Sequence, residues 1–80
     1  MNNEEKQNKF NFANIQSSYQ AIGIVEGFEK IPQGLTYEEA YVQAFQYLID
    51  TGTVWQLQGS YGRTARGLID SGYCTPPKKS

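Results

Sequence analysis

The segment Trp55–Gly72, WQLQGSYGRTARGLIDSG, gathers the chain's only tryptophan and both of its arginines. Within it Gln56, Gln58, Ser60, Tyr61, Arg63, Thr64 and Arg66 crowd side-chain donors around a predicted helix start. A helix N-terminus offers backbone N–H groups without intrahelical partners, and with guanidinium and hydroxyl groups beside it can hold a phosphate or a carboxylate. These seven residues are the candidate binding set. The competing reading is structural: Arg63 and Arg66 neutralise Asp50 and Asp70, which stand in the last turns of two predicted helices where a carboxylate opposes the dipole. The segment is no phosphate-binding loop of the Gly-Lys-Ser/Thr type, and SYGRTARG does not meet G-x-G-x-x-G.

The chemistry left out is equally informative. The chain has no histidine and a single cysteine, Cys74, so it holds neither a zinc set nor an imidazole for acid–base work, and no intramolecular disulfide. No pair of carboxylates falls in evident register. The expectation is a non-enzymatic protein without metal or cofactor, in which Cys74 is a small, partly buried apolar residue. The formal charge is −1, which argues against indiscriminate binding to nucleic acid. Residues 60–80 nevertheless carry four bases against one acid, so that third is locally cationic. A helix–turn–helix layout with Tyr61–Ser71 as reading helix is a further alternative, opposed by the acidic balance and by the glycines in that helix. No apolar run approaches the roughly 20 residues of a membrane span, and MNNEEKQNK lacks the apolar core of a signal peptide; the expected location is cytoplasmic.

Three elements must position the donors. Thr36 as N-cap with Glu39 three residues on makes a capping box, and Tyr37, Ala40, Tyr41, Ala44, Phe45 and Leu48 recur at helical spacing, predicting a helix over 36–51 closed by Gly52. Tyr37, Tyr41 and Tyr47 read as a core and interface stripe. The pentad Leu48–Gly52, LIDTG, returns as Leu68–Gly72, LIDSG, so both copies read as helix ends. Between them residues 54–57 are expected to form a short helical turn that inserts Trp55 and Leu57 into the core. Gly59 breaks this turn and Ser60 caps a helix over 60–71. Upstream, SSYQAIGIVEGFEK predicts a helix over about 17–29 capped by Ser17 or Ser18; a strand over 21–25 is the rival, because Gly23 and Gly27 each weaken a helix by about 1 kcal/mol. KIPQGL is a turn.

The architecture predicted is all-α: a small bundle of three main helices plus a short helical turn, in a single domain over 15–74, with flexible ends at 1–14 and 75–80. At least one of Phe10 and Phe12 is expected to dock, since two exposed phenylalanines invite aggregation. Eighty residues bury only a modest core, so self-association as a homodimer or higher oligomer is expected.

From Leu48 to Cys74 the chain resembles a family of short tailed-bacteriophage proteins of unknown function with the signature WxLQGxYGRxAxxLIxxG, matched by Trp55, Gln58, Gly59, Tyr61, Gly62, Arg63 and the closing Leu68, Ile69 and Gly72. The resemblance covers roughly residues 36–74. It implies a phage accessory protein in the host cytoplasm that inhibits a host or host-defence protein by binding it. A sponge or sensor for a small phosphorylated ligand, such as a cyclic nucleotide, is the alternative held by Arg63, Arg66, Tyr61 and Gln58.

Overall fold

The computed structural model describes residues 15–77. Among them the protein is all-helical: α1 (Ser18–Glu26), α2 (Tyr37–Thr51), a 3-10 turn (Thr53–Gln56) and α3 (Gly59–Asp70), with no strand. The expectations for residues 1–14, including a docked Phe10 or Phe12, and for 78–80 lie outside the described residues.

The central element is α2, and its start is fixed as the sequence dictates. Thr36 accepts from the Glu39 N–H at 3.1 Å while the Glu39 carboxylate accepts from the Thr36 N–H at 2.9 Å. The two bonds satisfy two donors that the first turn would otherwise leave open. One face of α2 supplies Ala40, Ala44, Phe45, Leu48 and Ile49, all buried. The helix ends at Gly52, whose φ of 82° is left-handed backbone that costs glycine nothing.

α1 lays Ala21 and Ile24 onto this face, and both are fully buried. Ser17 is its N-cap, accepting from the Gln20 N–H at 3.1 Å. Its end falls earlier than the predicted residue 29. Gly27 turns left-handed, and the Phe28 N–H reaches back to the Gly23 carbonyl at 2.7 Å, closing the helix with a Schellman-type bond. Phe28, inside the predicted helix over 17–29, therefore leaves it and stands exposed; Tyr19, within α1, is exposed too.

The 3-10 turn corrects the placement of Trp55. A 3-10 helix repeats every three residues, so Val54 and Leu57 share a side and Trp55 points elsewhere. Val54 is fully buried and Leu57 half-buried, while Trp55 is 45% exposed. The core takes a valine where the larger indole was expected. Thr53 anchors the turn to α1 through a hydroxyl contact with Ser18 at 3.1 Å.

The helix α3 begins at Gly59, not at a Ser60 cap. Leu57 and Gln58 are both extended, and the Gln58 carbonyl accepts from the Tyr61 N–H at 2.9 Å, which winds the first turn before Ser60 can serve as cap. Gln58 occupies the cap position without a side-chain bond. Ala65 is the fully buried residue of α3, with Tyr61, Leu68 and Ile69 half-buried around it. The second LIDSG pentad ends like the first: Gly72 has φ 87°, and the Tyr73 N–H bonds the Leu68 carbonyl at 2.9 Å. The chain then runs back along α2. Cys74 is buried, its Sγ 3.5 Å from the Val42 carbonyl, and Gln46 clamps Thr75 by accepting its N–H at 2.9 Å and donating to its carbonyl at 3.0 Å.

Candidate functional site

The seven predicted site residues do not stay together. Tyr61 turns inward, completing a row of tilted rings in which Tyr37–Tyr41, Tyr41–Phe45 and Phe45–Tyr61 lie 5.7, 5.1 and 5.6 Å apart between centroids. Its hydroxyl donates to the Glu26 carboxylate at the end of α1. Burial, then the Glu26 carboxylate that accepts this bond, push the Tyr61 phenol well above its ordinary range. Burial, aided by Tyr37 and Glu26, raises Tyr41 as well. Tyr61 is thus a strut between α1, α2 and α3, committed to a partner within the chain. Thr64 lies half-buried, and Gln56, Gln58, Ser60, Arg63 and Arg66 remain exposed.

Trp55 takes the place that Tyr61 leaves. Its indole lies beside Gly62, where an added Cβ would meet two ring carbons at 3.6 and 3.8 Å. Trp55, Gly59, Gly62, Arg63 and Arg66 together line an open groove of about 480 Å³ on the outer flank of α3. Two glycines make its floor. At Gly59 an added Cβ would fall 3.3 Å from a terminal guanidinium nitrogen of Arg63, so that side chain folds back over the first turn. This is the direction helical side chains favour, and it carries the Arg63 head toward the uncapped N-terminus.

The arginines are not the neutralisers of the aspartates that the competing reading required. Among the described residues neither Arg63 nor Arg66 forms an ion pair. Asp50 instead accepts from Gln46 Nε2 at 3.0 Å, on the side of α2 that faces Thr75 and Cys74. Asp70 stands four residues beyond Arg66, but a base N-terminal to its acid is the weaker order on a helix. Two guanidinium groups therefore stand beside an exposed indole with no counter-charge from the described body.

The inclusion of Trp55 is the point that sequence reasoning missed. Val54 and Leu57 stand three residues apart, but one such interval is too short for that period to show in the sequence. A second depression, lined by Glu38, Tyr41, Val42, Leu68 and Tyr73, occupies the opposite flank of α3. No group of three or more His, Cys, Asp or Glu side chains that could hold a metal gathers among the described residues.

Residues 30–79 match the family model of a domain of unknown function, DUF7417. The chain belongs to this family. The DUF7417 match begins in the turn before α2 and takes in all of α2, the 3-10 turn and α3, so the groove and both glycine-closed pentads fall inside it while α1 precedes it. No curated protein and no solved structure matches the chain. What the DUF7417 domain does in this chain must therefore be argued from its own residues. No helix among those described is long and apolar enough to cross a membrane.

Proposed function

We propose that the protein is a non-catalytic binding module that occludes a partner protein through the face formed by Trp55, Gln56, Gln58, Arg63 and Arg66. The observation that supports this is the half-exposed indole lying against Gly62, in one groove with two arginines that no described carboxylate engages. Tryptophan and arginine are the residues most enriched where interfaces concentrate their energy. The fold anchors both sides of this face: Trp55 sits on a turn held to α1 by Thr53, and the arginines sit on a helix held to the core by Ala65. The resemblance to small phage proteins suggests the setting: a phage accessory protein in the host cytoplasm whose partner is a host or host-defence protein.

The test is capture from host lysate by the wild-type chain and by Trp55→Ala and Arg63→Ala/Arg66→Ala variants that retain cooperative melting. The expected result is a discrete partner held by the wild type and lost by both variants. A partner held equally by all three proteins would place binding elsewhere.

A second reading is favoured by one feature: the first turn of α3 has no side-chain cap, leaving backbone donors beside Arg63 that suit a small phosphorylated ligand. A nucleotide-dependent rise in melting temperature, absent in the arginine variant, would support it. Self-association belongs to the same proposal, since Tyr19, Phe28 and Tyr73 are exposed at 84%, 85% and 67%. Sedimentation of a clean monomer at tens of micromolar, roughly the range of an ordinary homodimer, would argue against it.

A further inference from the structure

We infer that the segment received by the Trp55 groove is acidic and extended, with carboxylates for Arg63 and Arg66 and an apolar side chain for the indole. This rests on the binding reading above and adds the chemistry of the partner.

Charge carries the first step. The described residues hold six carboxylates (Glu26, Glu29, Glu38, Glu39, Asp50, Asp70) and three cations (Lys30, Arg63, Arg66). Two of the three cations line one groove, in a body otherwise negative. An acidic segment is repelled over the rest of the surface and attracted here, so complementarity selects both the site and its orientation. A basic segment would be drawn to the carboxylates and would leave both guanidinium groups desolvated against like charge.

Geometry carries the second step. Arg63 and Arg66 are one helical turn apart, with Cβ atoms about 5–6 Å from each other. Side chains two apart on an extended strand share a face at roughly 6.6 Å. Alternate carboxylates of an extended segment therefore meet successive arginines, each able to accept a forked pair of N–H bonds. Over the two glycines the Arg63 head and the Trp55 ring lie close against α3, so the partner segment meets the guanidinium and the ring rather than the helix main chain. Trp55, 45% exposed, presents apolar ring surface at the same level, and this selects an apolar side chain over a purely acidic run.

The experiment uses the full chain and four fluorescein-labelled decapeptides read by anisotropy: one alternating Asp or Glu with Ser and carrying one Leu, one with Leu replaced by Ser, one with every acid replaced by Lys, and one neutral. The acidic peptide with Leu should bind, weaken at least tenfold in Arg63→Gln/Arg66→Gln, weaken with added salt, and change Trp55 emission. Its Leu-free version should bind several-fold more weakly, and the Lys and neutral versions should not bind. Preference for the Lys or neutral peptide, undiminished binding to the arginine variant, or no binding of the acidic peptide would overturn the inference. Inorganic phosphate and AMP serve as competitors. Displacement of the peptide by either at micromolar concentration would overturn it in favour of a small phosphorylated ligand. The lysate capture separates this inference from the broader reading. A partner held through the groove whose cross-linked segment is neutral or basic ends the inference alone, while a partner indifferent to Trp55 and both arginines ends the reading itself.

Discussion

Replacing Trp55 with alanine distinguishes a groove wall from a core residue by magnitude. Trp55 is 45% exposed, so somewhat more than half of the 150–250 Å² an aromatic side chain can bury leaves water on folding, about 80–140 Å². At about 25 cal/mol per Å² this amounts to roughly 2–3.5 kcal/mol, and a compact unfolded chain trims it to about 2 kcal/mol. Phe45 is 1% exposed at the centre of the ring row, and its loss should cost about 3–5 kcal/mol because a cavity is left behind. A chain of 80 residues has about 4–12 kcal/mol in total, on a scale of roughly 0.05–0.15 per residue. Trp55→Ala should therefore stay folded at 25 °C with its urea midpoint lowered by about 2 M, for a slope near 1 kcal/mol/M. Phe45→Ala should lose most of its cooperative transition. The single tryptophan also reports its own environment, so wild-type emission should be red-shifted and readily quenched by acrylamide. A Trp55→Ala variant as unstable as Phe45→Ala, or an indole shielded from quencher, would refute the placement of Trp55 in the groove wall and the binding face with it.

Gly67 is exposed within α3 and an added Cβ would meet nothing within 4 Å, so Gly67→Ala should raise stability by about 1 kcal/mol, read from the urea midpoint. Arg63→Ala/Arg66→Ala should change stability by less than about 0.5 kcal/mol per site, since no described ion pair is broken. Thr36→Ala should cost about 1 kcal/mol through loss of the capping box, with the helical signal of α2 fraying first on heating. Burial, then the nearby Asp50, push the Cys74 thiol up. The folded chain thus keeps the proton where the unfolded one begins to lose it, so this contribution is complete below the ordinary thiol value of about 8.5 and fades as pH rises through the higher folded value. The wild type should lose stability between pH 7 and 9.5 by more than Cys74→Ala does in matched urea titrations.

What was legible in the sequence had a local cause, and what was not depended on a change of helical period or on tertiary geometry. Thr36, Glu39 and Gly52 define α2 by contacts within a few residues, and the structure places its ends where they predict. Both LID-x-G pentads close helices because glycine alone enters left-handed backbone freely, whatever surrounds it. Gly27 belongs to the same class, and reading it as a tolerated interruption rather than a stop misplaced the end of α1. Trp55 was misplaced for a different reason. A four-residue 3-10 turn has too few repeats for its period to show, so the large side chain was assigned to the core by size alone. The pairing of Arg63 and Arg66 with Asp50 and Asp70 rested on charge and the helix dipole, whereas Gln46, one turn back on α2, had already claimed Asp50.

The exchange of places between Tyr61 and Trp55 divides the short helix α3 into an inner side that packs and an outer side that does not. The inner side of α3 is set by Ala65 against the core, by Tyr61 through its bond to Glu26, and by half-buried Leu68. The outer side carries Gly59, Gly62, Arg63 and Arg66 facing the indole. Arg63 and Arg66 can therefore change without a cost to folding, an independence that a helix packed on all sides lacks. The glycines follow the same division: Gly52 and Gly72 end helices with positive φ, whereas Gly59 and Gly62 lie in helical backbone that asks nothing special of them. Gly62, inside α3, costs it about 1 kcal/mol relative to alanine. At Gly62 the ring contact at 3.6 Å is ordinary van der Waals distance that an alanine methyl could fill. Internal packing thus does not require a glycine there, and Gly62→Ala should keep the indole in place while stabilising α3.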